Sequence, residues 1–274
     1  MDVNLQAAVA TDVGLNRSNN EDLAFAGRRL FVIADGMGGP PAGDLASELA
    51  IAALRPLDED PVATGADAID TLRGGVDVAN RAIWLAANEE DGRFGMGTTV
   101  TAILYADDGT AALVHVGDSR AYRYRNGALR QLTIDDTYVQ LLVDQGALDA
   151  EEARHHPQRS VVTQAVQGGA YEPHLILLEP TAGDRYVLCS DGLSDVVRDE
   201  TIAATLGTYA DPAECGQKLV KLTLAAGAPD NVTVVVLDVM ADAGDVAGIG
   251  PTDGKPAGDK PAGDKVGEKV VSDQ

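Results

Sequence analysis

A short apolar run that ends in an acidic turn is the feature that most constrains how this chain can fold. Residues 30–34 are apolar and contain the β-branched pair Val32 and Ile33, and Asp35 and a glycine-rich turn follow. This composition is typical of a strand buried on both faces. A carboxylate at the end of such a strand is held rigidly, and the glycines allow another group to approach the bare backbone. Taken alone, however, an Asp-Gly turn at a strand end is common and structural.

The same arrangement, an acidic residue beside an apolar run, is repeated along the chain. It recurs in VHVGDSR at 114–120, YVLCSDGLSD at 186–195 and APDNVTVVV at 228–236. Four acids in this context, Asp35, Asp118, Asp191 and Asp230, could converge at one end of a sheet structure. Oxygen ligands without a histidine or cysteine cluster suit Mg²⁺ or Mn²⁺ better than zinc, and bound cations would relieve the repulsion among carboxylates. Strand-end aspartates are also routine turn residues, so the pattern alone leaves both interpretations open.

The hydrophobic periodicity predicts that strands and helices are mixed along the chain. A first helix is expected from Asp44, its N-cap, to Pro56, and Gly74 and Gly75 could break the second. Further helices are predicted at 66–88, 135–146, 149–155, 199–206 and 211–226, and strands at 6–11, 23–25, 30–34, 129–132, 161–166, 175–178, 185–189 and 232–239 and between 95 and 124. The helical insert at 135–160 could be a mobile flap over a site, or its helices could be ordinary surface helices.

The chain is strongly acidic, with 43 acidic and 21 basic residues and a formal net charge of −22. Nucleic acid and anionic membrane are therefore disfavoured partners, because both need clustered lysine and arginine. A phosphate-handling site would need local positive charge from metal ions or a well-placed arginine. Arg17 precedes Glu21 and Asp22 in a polar loop, and its guanidinium suits bidentate capture of phosphate. Solubility or salt adaptation explains most of the acidity.

Targeting and redox features predict a cytoplasmic protein without a membrane span. No apolar run approaches the roughly 18 residues of such a span, and the N-terminus lacks the regions of a secretory signal. Cys189 and Cys215 form no disulfide framework, which agrees with a reducing compartment. Residues 241–274 contain the tandem KPAGDKPAGDK and almost no large apolar side chains, so a disordered tail is expected there.

Six short motifs occur together and in order along the chain. They are RSNNED at 17–22, ADGMGG at 34–39, GTT at 97–99, GDSR at 117–120, SDGLSD at 190–195 and DNVT at 230–233. Together they resemble the PPM/PP2C family of metal-dependent serine/threonine protein phosphatases, and in particular its bacterial, PstP-like branch. One motif such as GDSR would be weak, whereas six in sequence order are highly specific.

The resemblance implies a fold and a metal centre. The expected fold class is α+β, a PP2C-like four-layer αββα sandwich of two antiparallel sheets flanked by helices, with residues 1–240 as the catalytic domain. Two tightly bound Mn²⁺ or Mg²⁺ ions are expected at one edge. By motif, Asp35 should bridge them, with the Gly36 carbonyl, Asp191 and Asp230 as the other direct protein ligands. Arg17 matches the phosphate-binding arginine, and Arg17, Asp35 and Asp191 are the implied catalytic residues.

The resemblance also implies supporting roles around that centre. Glu21 and Asp22 match acids that act on the ions through water. Bacterial members bind a third, more labile ion, for which Asp118 and the Ser160 carbonyl fit. Because Ser160 ends the insert at 135–160, that insert gains a role in gating or substrate selection.

The implied activity is hydrolysis of phosphoserine and phosphothreonine in proteins, by in-line attack of a metal-bridged hydroxide without a phosphoenzyme. The implied partners are phosphorylated proteins, among them a cognate eukaryotic-like Ser/Thr kinase, and the enzyme is expected to be a monomer. Met37 stands where many eukaryotic relatives have a histidine that is a candidate general acid, so the proton donor is unassigned. Metal-bound water and His156 in the insert are the alternatives for that role.

Two other classes of function remain open. One is a pseudophosphatase, or phosphoprotein-binding module, that binds without turnover, whose mark would be the loss of a metal carboxylate. The other is a structural or scaffolding protein in which the acids merely end strands. Tight Mn²⁺ binding would not be expected of the second.

Overall fold

The computed structural model describes residues 4–39, 41–89 and 95–240. The strands are β1 (Asn4–Asp12), β2 (Asp22–Ala26), β3 (Leu30–Met37), β4 (Gly97–Thr98), β5 (Val100–Tyr105), β6 (Ala111–Val116), β7 (Arg120–Arg125), β8 (Ala128–Gln131), β9 (His174–Leu178), β10 (Arg185–Cys189) and β11 (Val232–Met240). The α-helices are α1 (Ala42–Leu54), α2 (Gly65–Glu89), α3 (Tyr138–Asp144), α4 (Ala150–Arg154), α5 (Asp191–Ser194), α6 (Asp199–Thr208) and α7 (Pro212–Ala225).

The strands form two antiparallel sheets. One has the order β1-β11-β10-β7-β8, and the other has the order β2-β3-β5-β6-β9 with β4 attached to β3. Strand β3 shows why the apolar run at 30–34 is continuous. Phe31 and Ile33 pack between the two sheets, whereas Leu30 and Val32 pack against the helices on the outer face. Because side chains alternate between faces, a strand covered on both sides must be apolar at every position.

Helices cover the outer face of each sheet. On one side, α1 and α2 bury Leu54, Leu72 and Ile83 against β3, β5 and β6. On the other side, α6 and α7 bury Ile202 and Leu219 against β7, β10 and β11. The result is four layers, helix–sheet–sheet–helix. The predicted α+β sandwich of two antiparallel sheets flanked by helices is therefore confirmed.

The flap, by which we mean residues 135–160, leaves the sheet after β8. It contains the two short helices α3 and α4, which start later and end earlier than predicted. Helix α3 begins after Thr137, whose hydroxyl accepts a hydrogen bond from the backbone of Gln140 at 3.2 Å. Helix α4 begins after Asp149, which forms a reciprocal capping box with Glu152.

Three local predictions were wrong. The expected strand at 161–166 is not formed, because residues Val162 and Val166 make only isolated bridges, to Thr137 and Thr98. The α1 helix begins at Ala42, so Asp44 lies in its first turn and accepts from Asn19 Nδ2 at 2.8 Å instead of capping. Helix α2 runs unbroken through its two glycines.

The predicted tail, 241–274, lies outside the described residues. Among the residues that are described, no helix combines the length and the apolar character needed to cross a bilayer.

Candidate active site

The ends of strands from both sheets carry the predicted site residues to one edge of the sandwich. Asp22 begins β2 and lies directly opposite Asp35 in the β2–β3 register. Asp191 follows β10 and is the first residue of α5, and Asp230 precedes β11. Ser190 joins the two sheets here, since its hydroxyl donates to Asp22 Oδ2 at 2.8 Å and its backbone N–H donates to the Thr233 carbonyl at 3.1 Å.

Two of the motif glycines are required by close backbone approach. A Cβ on Gly36 would lie 2.3 Å from the Gly43 carbonyl oxygen and 2.7 Å from that of Glu21. A Cβ on Gly192 would lie 1.9 Å from the Asn231 carbonyl oxygen. Both contacts are too short for any side chain, so the glycines after Asp35 and Asp191 allow neighbouring backbone segments to approach the acids.

The acids share one low-dielectric neighbourhood. Asp35 and Asp191 are half-buried, and burial of their carboxyl groups raises the pKa of both well above the usual range. The charges of Asp22, Asp191, Asp118 and Asp230 raise the pKa of Asp35 further, in that order of size. Such mutual effects require the carboxylates of both sheets to be near one another.

The two acids beside this pair are perturbed in the same direction. Burial raises the pKa of Asp22 to about 6, against the hydrogen bond that it accepts from Ser190. Burial and the charges of Asp135 and Asp195 raise the pKa of Asp118 to about 7. Neutral protonated acids at pH 7 would relieve the repulsion, and so would bound cations.

Most of the arginines at this edge pair with acids outside the predicted ligand set, Arg120 with Asp135 and Arg159 with Asp195. In the described part of the chain, Arg17 is the one cationic side chain paired with any of Asp35, Asp118, Asp191 and Asp230, and its Nη2 lies 2.6 Å from Asp230 Oδ2. The exposed fractions of these two side chains are 48% and 34%, so the pair is open to solvent and to exchange. An oxygen-rich, negatively charged cluster in which one predicted ligand is paired with an arginine fits hard divalent cations.

The acids are neighbours but not a preformed coordination sphere. No three acidic, histidine or cysteine side chains within 4–39, 41–89 and 95–240 are already arranged around one point as ligands. The fit to cations therefore rests on the chemistry of the donors and on their mutual repulsion. One of the predicted ligands, Asp230, is paired with Arg17.

A cavity of about 230 Å³ extends from these acids toward the flap. Asp118, Asp191 and Asp195 line it on the strand side, and Arg154 and Arg159 line it on the flap side. Arg159 Nε lies 3.4 Å from Asp195 Oδ2 and therefore brings the end of the flap to the cleft. Ser160, the next residue, is exposed, and its carbonyl remains a predicted ligand.

The structure also identifies three supporting residues that sequence reasoning missed. Asn231 accepts from the Glu21 N–H at 2.9 Å and donates to the carbonyls of Val13 and Asn19 at 2.9 and 2.8 Å. Thr99 Oγ1 accepts from the Asp35 N–H at 3.0 Å and bonds to the Ser119 hydroxyl at 2.7 Å. With Ser190, these residues hold the backbones that carry the acids. All three lie within the quoted motifs, and that position was the available signal.

A thiol nucleophile is excluded at this edge. Cys189 is fully buried at the end of β10, and burial raises the pKa of its thiol to about 12. A group that stays protonated and has no access to solvent cannot attack a phosphate ester.

Comparison with known proteins agrees with this geometry. The sequence model of the family described as "Protein phosphatase 2C" matches residues 16–222. The "Serine/threonine protein phosphatase PstP" of Mycobacterium tuberculosis is 51% identical over 236 residues, which is 86% of this chain and 45% of that protein. This chain therefore spans slightly less than half the length of that relative.

Solved structures match over the same region. The crystal structure of the M. tuberculosis serine/threonine phosphatase PstP/Ppp has a TM-score of 0.83 and 51% identity, and the match covers 87% of this chain and 100% of that one. A structure of the PstP catalytic domain in complex with two manganese ions has a TM-score of 0.81 and 49% identity, with 87% and 99% of the two chains covered.

Proposed function

The chain belongs to the protein phosphatase 2C family, and on that premise we propose that it is a serine/threonine protein phosphatase that hydrolyses phosphoserine and phosphothreonine in proteins. The observation that carries the proposal is the meeting of buried acids from both sheets at one edge, beside a solvent-open arginine. The relative from M. tuberculosis, PstP, is named a serine/threonine protein phosphatase.

The proposed ligands follow the donor chemistry of the site. Asp35, the Gly36 carbonyl, Asp191 and Asp230 would hold two Mn²⁺ or Mg²⁺ ions, and Asp118 with the Ser160 carbonyl would hold a third, weaker one. Bound ions supply an activated water and neutralise phosphate charge. The two manganese ions in the PstP catalytic domain support the first two sites.

The chain's own residues bind and orient the phosphate. The Arg17 guanidinium offers two parallel donors to two phosphate oxygens, and it would exchange its Asp230 partner for the substrate. Glu21 and Asp22 would act through water; the Asp22 carboxylate is oriented for this by the Ser190 hydroxyl. An acidic surface repels phosphoproteins at long range, so capture depends on these local charges.

We also propose the substrates, oligomeric state and cellular location of the enzyme. Its substrates would be phosphorylated proteins, among them a cognate eukaryotic-like Ser/Thr kinase, and it would act as a monomer in the cytoplasm. The catalytic unit would be residues 1–240, because all six motifs lie within that range.

The direct test is phosphate release from a phosphothreonine peptide by chelated protein, before and after addition of Mn²⁺. We expect no turnover without the ion and turnover with it. Full activity in protein shown to be metal-free, or no release with any divalent cation, would refute the proposal.

A further inference from the structure

Two consecutive acids, Asp135 and Asp136, open the flap, and neither belongs to the proposed ligand set. Asp136 is only 8% exposed. Both accept hydrogen bonds from the turn at 117–120, which carries Asp118. The turn is therefore held from the flap side at both of its ends.

Asp135 holds the far end of the turn. The Arg120 guanidinium binds it through both oxygens, with Nε at 2.9 and 3.0 Å and Nη2 at 2.6 Å. Asp136 holds the near end through two bonds. The Gly117 N–H donates to Asp136 Oδ2 at 2.9 Å, and the Asp136 N–H donates to the Gly117 carbonyl at 2.7 Å. Asp118 lies between these two points.

Asp136 also holds the segment that follows the flap. Its carbonyl accepts from the Thr163 N–H at 2.7 Å. Its Oδ1 lies 3.0 Å from Gln164 Nε2 and 3.1 Å from His174 Nε2. One buried residue thus connects the Asp118 turn, the entry to the flap and the exit just beyond Ser160.

We propose that Asp136 is a positioning residue that sets the distance between Asp118 and the Ser160 end of the flap, and thereby the affinity of the third, weaker cation. The inference rests on the proposed function, because that cation is part of it. Both oxygens of Asp136 are occupied by donors from Gly117, Gln164 and His174. It therefore acts through the backbone it holds and does not coordinate.

The variant Asp136→Asn tests this assignment. The asparagine side chain keeps the shape of the aspartate, but only its oxygen can accept hydrogen bonds. Its NH₂ group must therefore face either the Gln164 and His174 donors or the Gly117 N–H. We expect calorimetric Mn²⁺ titration to show two unchanged tight sites and a weaker step whose affinity falls about tenfold. Amide exchange of residues 137–162 in the metal-free protein should become faster.

Asp144→Asn is the matched control. Asp144 is an exposed flap carboxylate, and its substitution makes the same change in charge while removing only the bond from Gln140. Its Mn²⁺ titration and flap exchange should equal those of the wild type. If Asp136 had only a structural role, Asp136→Asn would lower the melting temperature without changing the weaker Mn²⁺ step.

Several results would overturn the inference. A folded Asp136→Asn protein with a wild-type weaker step would do so, and so would a wild type with two tight sites and no weaker step. If Asp136→Asn does not fold, Gln164→Leu decides, because it removes one donor and leaves the Gly117 bonds intact; an unchanged weaker step there also refutes the role. If the wild type neither binds Mn²⁺ nor releases phosphate from the peptide, the proposed function itself is refuted.

Discussion

The carboxylates of the site oppose folding when they are ionised without a cation. Burial holds the folded-state pKa of Asp22 at about 6 and that of Asp118 at about 7, above the value of about 4 expected in the unfolded chain. A group whose pKa is raised by folding stabilises the protein fully below the unfolded pKa, and this contribution is lost as the pH rises through the folded pKa. Asp35 and Asp191 are shifted in the same direction.

We therefore expect the metal-free protein to become less stable between pH 5 and pH 8. Burial lowers the pKa of His115, which works in the opposite direction, but four carboxylates outweigh one imidazole. Urea unfolding of chelated protein at both pH values measures the difference, and Mn²⁺ should restore stability at pH 8. Greater stability of the metal-free protein at pH 8 than at pH 5 would contradict this account of the acids.

Arg17→Lys should be damaging although it preserves the charge. A guanidinium offers two parallel donors, whereas an ammonium is a point charge on a flexible stem. Loss of one charge-assisted bond, about 1.5–3 kcal/mol, corresponds to a roughly ten- to hundredfold lower kcat/KM on a phosphothreonine peptide. Mn²⁺ affinity should hardly change, because Arg17 is not a proposed ligand.

Arg29→Lys is the control for steady-state kinetics on that peptide. Arg29 forms a comparable exposed pair with Asp107 at 3.0 Å, but it lies at the opposite end of β3 from Asp35. It should leave kcat/KM unchanged. Wild-type kinetics in Arg17→Lys would remove Arg17 from phosphate binding.

At the scale of elements, the site depends on the contact between the start of α5 and the start of β11. Gly192→Ala would place a Cβ 1.9 Å from the Asn231 carbonyl oxygen, so the two loops that carry Asp191 and Asp230 must separate. We expect a lower melting temperature and at least tenfold weaker Mn²⁺ binding by calorimetry. Gly169→Ala, which meets nothing within 4 Å, should behave as the wild type. Equal Mn²⁺ affinity in both variants would show that this contact does not position the ligands.

Some elements could be predicted from the sequence because their burial pattern is local. The apolar run at 30–34 indicated a strand covered on both faces, and Phe31 and Val32 do lie in different cores. The segment at 161–166 is also rich in β-branched residues, but its place in a sheet depends on a distant partner strand. Val161 is 46% exposed, and the segment instead forms single bridges, from Val162 to Thr137 in the flap and from Val166 to Thr98 in β4.

Contacts within the site also depend on residues that are distant in the sequence. Asp35, Asp191 and Asp230 were identified from acids beside apolar runs and from motif resemblance, and the structure gathers them at one edge. The bond from Ser190 to Asp22 and the bonds of Asp136 to Gly117 join residues far apart in the chain. The hydrophobic periodicity of the sequence does not reveal such long-range pairs, so these contacts are visible only in the folded molecule.

For the molecule as a whole, the fold builds one site from two sheets, and we propose that cations complete it. Mn²⁺ calorimetry and phosphothreonine-peptide turnover, measured on the wild type and on Asp35→Asn, test whether they do. The asparagine keeps the volume and removes one of the mutually repelling charges, so the metal-free variant should be at least as stable as the wild type at pH 8. We predict two tight Mn²⁺ sites and turnover in the wild type, and loss of at least one site together with at least hundredfold lower turnover in Asp35→Asn. Wild-type Mn²⁺ stoichiometry and turnover in that variant would show that Asp35 does not hold the ions.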